Sequence, residues 1–355
     1  MSVTAHERPG VYSSYDASSV VRRSQGSRVI GIAARAAKGT VGEVVTVTGF
    51  ESGLAAFGAE GDGTGMTGLL RILYENGASE VKAVRVADSG TTNDYTSAFQ
   101  QLTGCESVRI VVTDSAAVEV HQALRSHVET ASENRRERIA IVGGSGETVS
   151  TMVQHAAALN HQRMILVGPD VLDGDGTRRS AALGAAALAG VLAAERDPAL
   201  PVNGAGLRGI GGTAASLTEG EIDSLVRGGV TPLESLGGVT SPIRGITTKT
   251  KTGGAADASW REITTILIVD DVIPALRESL RSKFLRSKNT ARNRGAIRAQ
   301  VIVELERKRE AEIIEGYGEV TAQASEDDPT VCEVEFPFAV AHGLNQIYLT
   351  AHITV

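Results

Sequence analysis

Cysteine is almost missing from this chain: two occur in 355 residues, Cys105 and Cys332, in unrelated contexts. Nothing here suggests a disulfide scaffold, and a reducing compartment is the expectation. Aromatic residues are also scarce, at 4%, whereas glycine (40 residues) and alanine abound. The interior must therefore be packed from small side chains joined by many turns. A basic excess is lacking too. The net charge of −7 argues against non-specific nucleic-acid binding, because neutralising phosphates requires a cationic face. The most apolar run, 180–194, is mostly alanine and falls short of the ~20 residues that span a bilayer; it reads as a buried helix. The opening stretch from Met1 to Pro9 has no apolar core of the kind a signal peptide carries. A soluble chain made in the cytoplasm, with no membrane insertion, is expected.

What is present supports a large folded protein. Hydrophobic residues make up 42%, enough for a sizeable core, and the length implies two or three domains. Residues 1–27 are polar and turn-rich, with Pro9-Gly10 and many serines, and read as an arm in which Tyr12, Tyr15, Val20 and Val21 can pair as a strand. Two β-type runs, 28–35 and 43–50, precede a short and a longer helix ended by Asn76-Gly77, a left-handed cap signal. A strand at 81–87 completes this stretch. From residue 93 the alternation becomes regular, with strands at 108–113, 138–143 and 163–168 and helices at 116–133, 147–160 and 178–196. The strands are continuous apolar runs, as a sheet covered on both faces requires, so a parallel, doubly wound sheet follows. A Gly/Pro/Thr-rich segment then runs to Gly254, interrupted by a short helix after Thr218. Beyond it a strand at 262–269 leads into a helix with Pro274 in its first turn and a stripe of Ile273, Leu276, Leu280 and Phe284. A second helix starts near Thr290 and carries Ile297, Val301 and Leu305. Strands at 318–324, 331–340 and 346–355 close the chain.

Catalytic signals are weak throughout. G-x-G-x-x-G occurs at Gly63/Gly65/Gly68 and at Gly204/Gly206/Gly209, but neither has both the buried strand before it and the helix after it that a dinucleotide site requires. Gly143-Gly144-Ser145-Gly146-Glu147 resembles a nucleophile elbow without its last glycine and reads better as a tight strand-to-helix turn. Ser145, Asp170, His155 and His161 are accordingly not expected to form a catalytic unit. Asp173-Gly174-Asp175-Gly176 lacks the acidic residue that ends a calcium loop. His121/His127 and His155/His161 are each six residues apart, so neither pair lines one helix face as zinc ligands would. No P-loop lysine is present, and no cofactor or metal is expected.

The order of the remaining features resembles the contractile tail sheath family of phages, R-type bacteriocins and related injection machines. The residues that carry it run along nearly the whole chain: Pro9-Gly10-Val11-Tyr12; 39–57, then Tyr74-Glu75-Asn76-Gly77-Ala78 and Val84-Arg85-Val86; Leu166-Val167-Gly168-Pro169 and the alanine-rich helix before Pro201; Leu207-Arg208-Gly209-Ile210; and, most closely, 260–280, the helix after Asn289 and 346–355. The resemblance implies an α/β chain with a central doubly wound, mostly parallel sheet domain, a small N-terminal α/β module and a C-terminal α+β domain with extended arms. The expected division is arm 1–27, module 28–92, central non-catalytic subtilisin-like domain 93–245, assembly domain 246–345 and exchanged strand 346–355. It further implies a helical homopolymer around a tail tube protein, meeting baseplate and terminator proteins, in a phage or tailocin-like particle. An α/β enzyme with a degenerate nucleotide or hydrolase site stays as the alternative, and a nucleic-acid module as a third.

Two assembly elements are expected. Between Arg281 and Arg298 the chain carries seven Arg and Lys and no acidic residue. A solvated helix face explains such a run blandly; the resemblance implies instead that Arg286, Lys288, Arg292 and Arg294 face an acidic tube. From Gln346 alternation is strict, with Ile347, Leu349, Ala351, Ile353 and Val355 on one face. That strand either hairpins back onto 331–340 or leaves to complete a neighbour's sheet. The resemblance favours departure, with Val11 and Tyr12 of the N-terminal arm docking likewise.

Overall fold

The structure, a computed structural model, describes residues 28–59, 63–345 and 348–350. Val11, Tyr12, Ile347, Ala351, Ile353 and Val355 lie outside the described residues.

The apolar runs form one eight-stranded sheet built from β1 (Val29–Arg35), β2 (Val44–Val47), β3 (Val81–Val86), β4 (Val108–Thr113), β5 (Ile139–Gly143), β6 (Met164–Gly168), β10 (Val230–Leu236) and β11 (Val239–Pro242). Their spatial order is β11-β10-β6-β5-β4-β1-β3-β2. The inner strands are parallel, and only the edge strands β2 and β11 run antiparallel to their neighbours. Segments 28–92 and 93–245 thus contribute to a single sheet. Between β6 and β10 the chain adds a small sheet of β7 (Val171–Leu172), β8 (Arg178–Arg179) and β9 (Gly212–Thr213).

Side chains alternate across the main sheet, so each strand feeds two cores. In β5, Ile139 and Ile141 join one apolar cluster while Ala140 and Val142 join the other. The first is covered by α1 (Phe50–Phe57), α2 (Met66–Glu75) and α6 (Ala181–Ala194); the second by α3 (Thr92–Leu102), α4 (Val118–Glu133), α5 (Val149–Leu159) and α7 (Glu219–Arg227). Helix α6 is buried nearly all round, as an apolar surface without a polar stripe must be. Gly190 lets it approach α2: a Cβ there would lie 2.6 Å from Asn76 Cβ.

The C-terminal part stands on α8 (Ile263–Phe284) and α9 (Ala291–Glu310), after a small ribbon of β12 (Lys251–Thr252) and β13 (Ala255–Ala256). Two further ribbons follow: β14 (Ile314–Tyr317) with β17 (Phe338–Val340), and β15 (Thr321–Ala324) with β16 (Cys332–Glu335). Ile268, Val272, Leu276, Val301, Leu305, Ile314 and Val320 make their shared core.

Several expectations are corrected. The strand expected at 262–269 is the first third of α8. Its β-branched composition imitates a strand, but Ile263, Ile266 and Leu267 lie at helical spacing on the body's core. Pro274 consequently sits inside the helix, where it removes one backbone bond, rather than in a first turn. The buried stripe runs through Val272, not Ile273. The run 43–50 stops at Val47, and Phe50 opens α1. Helix α3 carries no marked pattern in the sequence, and β10 and β11 lie inside the Gly/Pro/Thr-rich segment, for which no strand is expected. The strand expected at 331–340 is two strands, parted at Phe336-Pro337, each paired with a different partner. Among the described residues no helix is long and apolar enough to cross a membrane.

Candidate functional site

Ligands of open α/β sheets bind where the strand order reverses, beyond the carboxyl ends of the strands. Here that crevice lies between β1 and β4, and the protein's own side chains close it. Asp114, following β4, accepts from Tyr95 Oη at 2.6 Å and from both N and Nε of Arg35 at 3.2 Å. Burial pushes the Asp114 carboxyl up, while Tyr95 and Arg35 pull it back. Burial, reinforced by Asp114, also raises the Tyr95 phenol.

Among the described residues, the side chains weighed as a hydrolase unit make no hydrogen bond with one another. Asp170 accepts from Gly146 N (2.9 Å), Arg178 Nε (2.8 Å) and Ala181 N (3.3 Å), and so ties the elbow-like turn to the start of α6. His155 bonds elsewhere, its Nδ1 to Glu147 (2.8 Å) and its Nε2 to His121 Nδ1 (2.8 Å); His121 Nε2 in turn meets the Ser115 carbonyl at 2.8 Å. This Glu–His–His–carbonyl chain joins α4, α5 and the loops after β4 and β5. Burial keeps His121 neutral by lowering its pKa to about 3. Ser145 is exposed and hydrogen-bonds none of these groups. His161 instead accepts from Arg163 N at 3.2 Å. Sequence spacing paired His121 with His127; the fold pairs it with His155, because their helices follow adjacent parallel strands. No linear signal marks that pair.

The other sequence candidates are likewise satisfied locally. Asp173 accepts from Asp175 N, Thr177 N and Arg179 Nε, which makes a self-contained turn. Gly209 packs against α2, where a Cβ would meet Glu75 Oε2 at 2.1 Å, and its φ of +76° itself favours glycine. Among the described residues no cluster of three or more His, Cys, Asp or Glu is arranged to hold a metal ion.

The C-terminal surface is different. Arg163 grips Asp270 with two bonds of 2.6 and 2.9 Å, and Arg277 meets Glu137 at 2.9 Å, so α8 is clamped to the base of the sheet. Beyond that clamp α8 and α9 project away. Arg286 and Lys288 are exposed on the connecting loop, Arg292 is exposed on α9, and Arg294 is half-buried with its Nη1 on Asn289 Oδ1 at 3.0 Å. The first turn of α9 holds no acidic residue and the last holds Arg307, Lys308 and Arg309. The latter complement the helix dipole; Arg292 and Arg294 oppose it. Each ribbon has two strands and so an open edge on both sides among the described residues. After β17 the chain runs to the body, where Gly343 packs on Pro201 and Asn345 Oδ1 accepts from Asn203 Nδ2 at 2.8 Å. Tyr348–Thr350 join no strand, and Leu349 is 93% exposed.

The body thus fills its switch crevice with its own side chains, while the two-helix platform carries two-stranded ribbons with open edges among the described residues. Comparison with known proteins gives the class. Residues 89–248 match the phage tail sheath protein central domain and residues 255–354 the phage tail sheath C-terminal domain. The chain belongs to the contractile tail sheath protein family. It is 28% identical over 253 residues to the tail sheath protein of Bacillus phage SP01, covering 69% of this chain and 43% of that one. To the tail sheath protein of Mycobacterium phage Bxz1 it is 26% identical over 298 residues, covering 78% and 49%. The chain therefore spans about half the length of the curated relatives it matches. In fold it is similar to the contracted PVC sheath complex of an extracellular contractile injection system, with a TM-score of 0.73, 15% identity and 99% of both chains covered. These relatives are structural components of tails and injection systems.

Proposed function

We propose that this chain is a non-catalytic subunit that polymerises into a helical sheath around a tail tube and drives the tube forward on contraction. Its partners are further copies of itself, the tube protein and the baseplate and terminator proteins; it assembles in the bacterial cytoplasm and then resides in the particle. The observation that supports this best is the contrast between a body whose strand-end crevice is filled and a C-terminal platform that leaves strand edges and Leu349 uncovered. A strand in solvent must bury one face and pair an edge, and a neighbour's ribbon offers both. In this reading 346–355 leaves its own subunit, and Val11 and Tyr12 dock in the same manner. The basic segment supports a tube contact, because Arg292 and Arg294 oppose the α9 dipole and gain from an anionic surface outside the chain.

Electron microscopy of concentrated purified protein tests the reading. Tubes or striped polymers are expected; discrete particles with saturable small-molecule binding would favour the enzyme alternative. Reversing Arg286, Lys288, Arg292 and Arg294 together should block assembly on the tube while sparing empty sheath, and normal tube-filled particles would remove the tube contact.

A further inference from the structure

Beyond its clamp to the body, the second half of α8 faces the base of the sheet across an open groove of about 910 Å³. The loop before β5 (134–137), with Glu106 and Arg109 beside it, forms one side, and the chain from Pro274 to Arg286 forms the other. Seven Arg and Lys side chains line it against three glutamates, an excess of four cations in a chain of net charge −7. Two of those glutamates are already engaged, Glu137 by Arg277 at 2.9 Å and Glu106 by Arg136 at 3.3 Å. Arg135 and Arg281, one on each wall, are exposed and make no side-chain hydrogen bond or ion pair among the described residues. Two unpaired guanidiniums across a groove fit carboxylates entering between them.

The same chain carries a matching projection. The loop between β15 and β16 holds Glu326, Asp327 and Asp328, all exposed. Asp328 is used within the loop, accepting from Thr330 N and Oγ1 at 2.8 and 2.7 Å, whereas among the described residues Glu326 and Asp327 have no cationic partner. Asn289 fixes the loop at the α8–α9 turn by donating to the carbonyls of Pro329 (2.8 Å) and Val331 (2.9 Å). Groove and tip share no residue, and among the described residues they form no ion pair with each other. Two complementary surfaces left unpaired within one subunit can make a head-to-tail contact that repeats without closing.

We infer that the groove receives the Glu326–Asp327 tip of a second copy of this chain. The inference rests on the sheath reading and adds a lattice contact distinct from strand exchange; it is carried by Arg135 and Arg281, and of the four tube-facing residues only Arg286 also lines the groove. A nucleic acid is the poorer occupant: three glutamates lie in the groove and no aromatic ring lines it for base stacking.

The test is polymerisation of the full chain without tube, measured by sedimentation and electron microscopy across a salt series, for R135E/R281E, E326K/D327K and the combination. Each pair alone should lower polymer at least tenfold with unchanged thermal melting, and the combination should restore most of it. Wild-type polymerisation by either pair alone, or no rescue in the combination, would overturn the contact. So would salt-sensitive DNA retention lost in R135E/R281E while polymerisation persists. If a reversal variant misfolds, R135Q/R281Q replaces it, with a several-fold loss expected and no loss counting against the proposal. A wild type that forms no polymer at all strikes the sheath reading itself. The groove contact then still predicts weak, salt-sensitive self-association in sedimentation velocity, absent from both variants, and its absence from wild type overturns it.

Discussion

The body and the C-terminal platform are made from the same kinds of residue but reach stability differently. Among the described residues, thirty-six buried residues (three of them from the start of α8) and twenty-one form the two cores of the body; seven form the core of the platform. The body's parallel strands are hydrogen-bonded on both sides, and its edges carry antiparallel strands. The platform's ribbons have two strands each, a size that is marginal in isolation. A region built this way holds its shape by leaning on α8. In the proposed sheath, rigidity would sit where subunits move as units and unsatisfied surface where they join.

Breaking the clamp between the regions should have the largest effect. Asp270→Ala strands Arg163 at a mostly buried site, and losing one partner of such a pair costs roughly 3–5 kcal/mol. Thermal melting should drop by several degrees and trypsin should cut first near α8; wild-type melting would mean that the clamp is dispensable. Cavities on the two sides separate the regions next. Leu166→Ala and Leu305→Ala each remove a fully buried side chain, at ~2–5 kcal/mol. The first should lower the main calorimetric transition, while the second should leave it in place and loosen α9 and β14 in hydrogen exchange. Equal shifts of one transition would show a single cooperative unit and end the comparison.

Mild acid should act through the buried histidines of the body. Burial lowers His121 to about 3 and His127 and His161 to about 4, against about 6.5 unfolded. Folded-state pKa values depressed in this way mean that the unfolded chain takes up protons first as pH falls. Stability should therefore be constant above about pH 7 and fall by about 1.4 kcal/mol per pH unit for each neutral histidine between roughly pH 6 and 4. Denaturant titrations that give a flat profile over that window would contradict the burial of these rings. The smallest effect on the subunit, with the largest on the lattice, belongs to deletion of 346–355. Under the strand-exchange reading the stability of the subunit should change by under about 0.5 kcal/mol, while polymer disappears. Unfolding of the truncated chain would place that strand in its own core.

Much of the body was legible because its elements carry their period openly. Helices α4 and α5 and strands β4, β5 and β6 fall within two residues of where the apolar spacing puts them. Strand β10 was hidden by Pro232, which sits where the strand passes from its parallel partner β6 to its antiparallel partner β11; a proline in such a run reads as linker. The opening of α8 was hidden for the opposite reason, since Ile263-Thr264-Thr265-Ile266 is strand-like in composition and helical in packing. Of the site, the basic run and the alternation from Gln346 were visible as patterns, whereas the groove was not, because Arg135 and Arg281 lie far apart in sequence.

The sequence alone determined the alternating α/β order, the two-sided burial of the sheet, the absence of a supported catalytic motif and the distribution of charge, all of which are local periodicity or local chemistry. Tertiary structure alone decided that residues 28–92 enter the same sheet, that His121 meets His155, that Asp114 closes the switch crevice and that α8 stands away from the sheet's base to leave a cationic groove. Each of these joins residues distant in the chain, and such contacts are set by which faces must be buried together rather than by any neighbour in sequence.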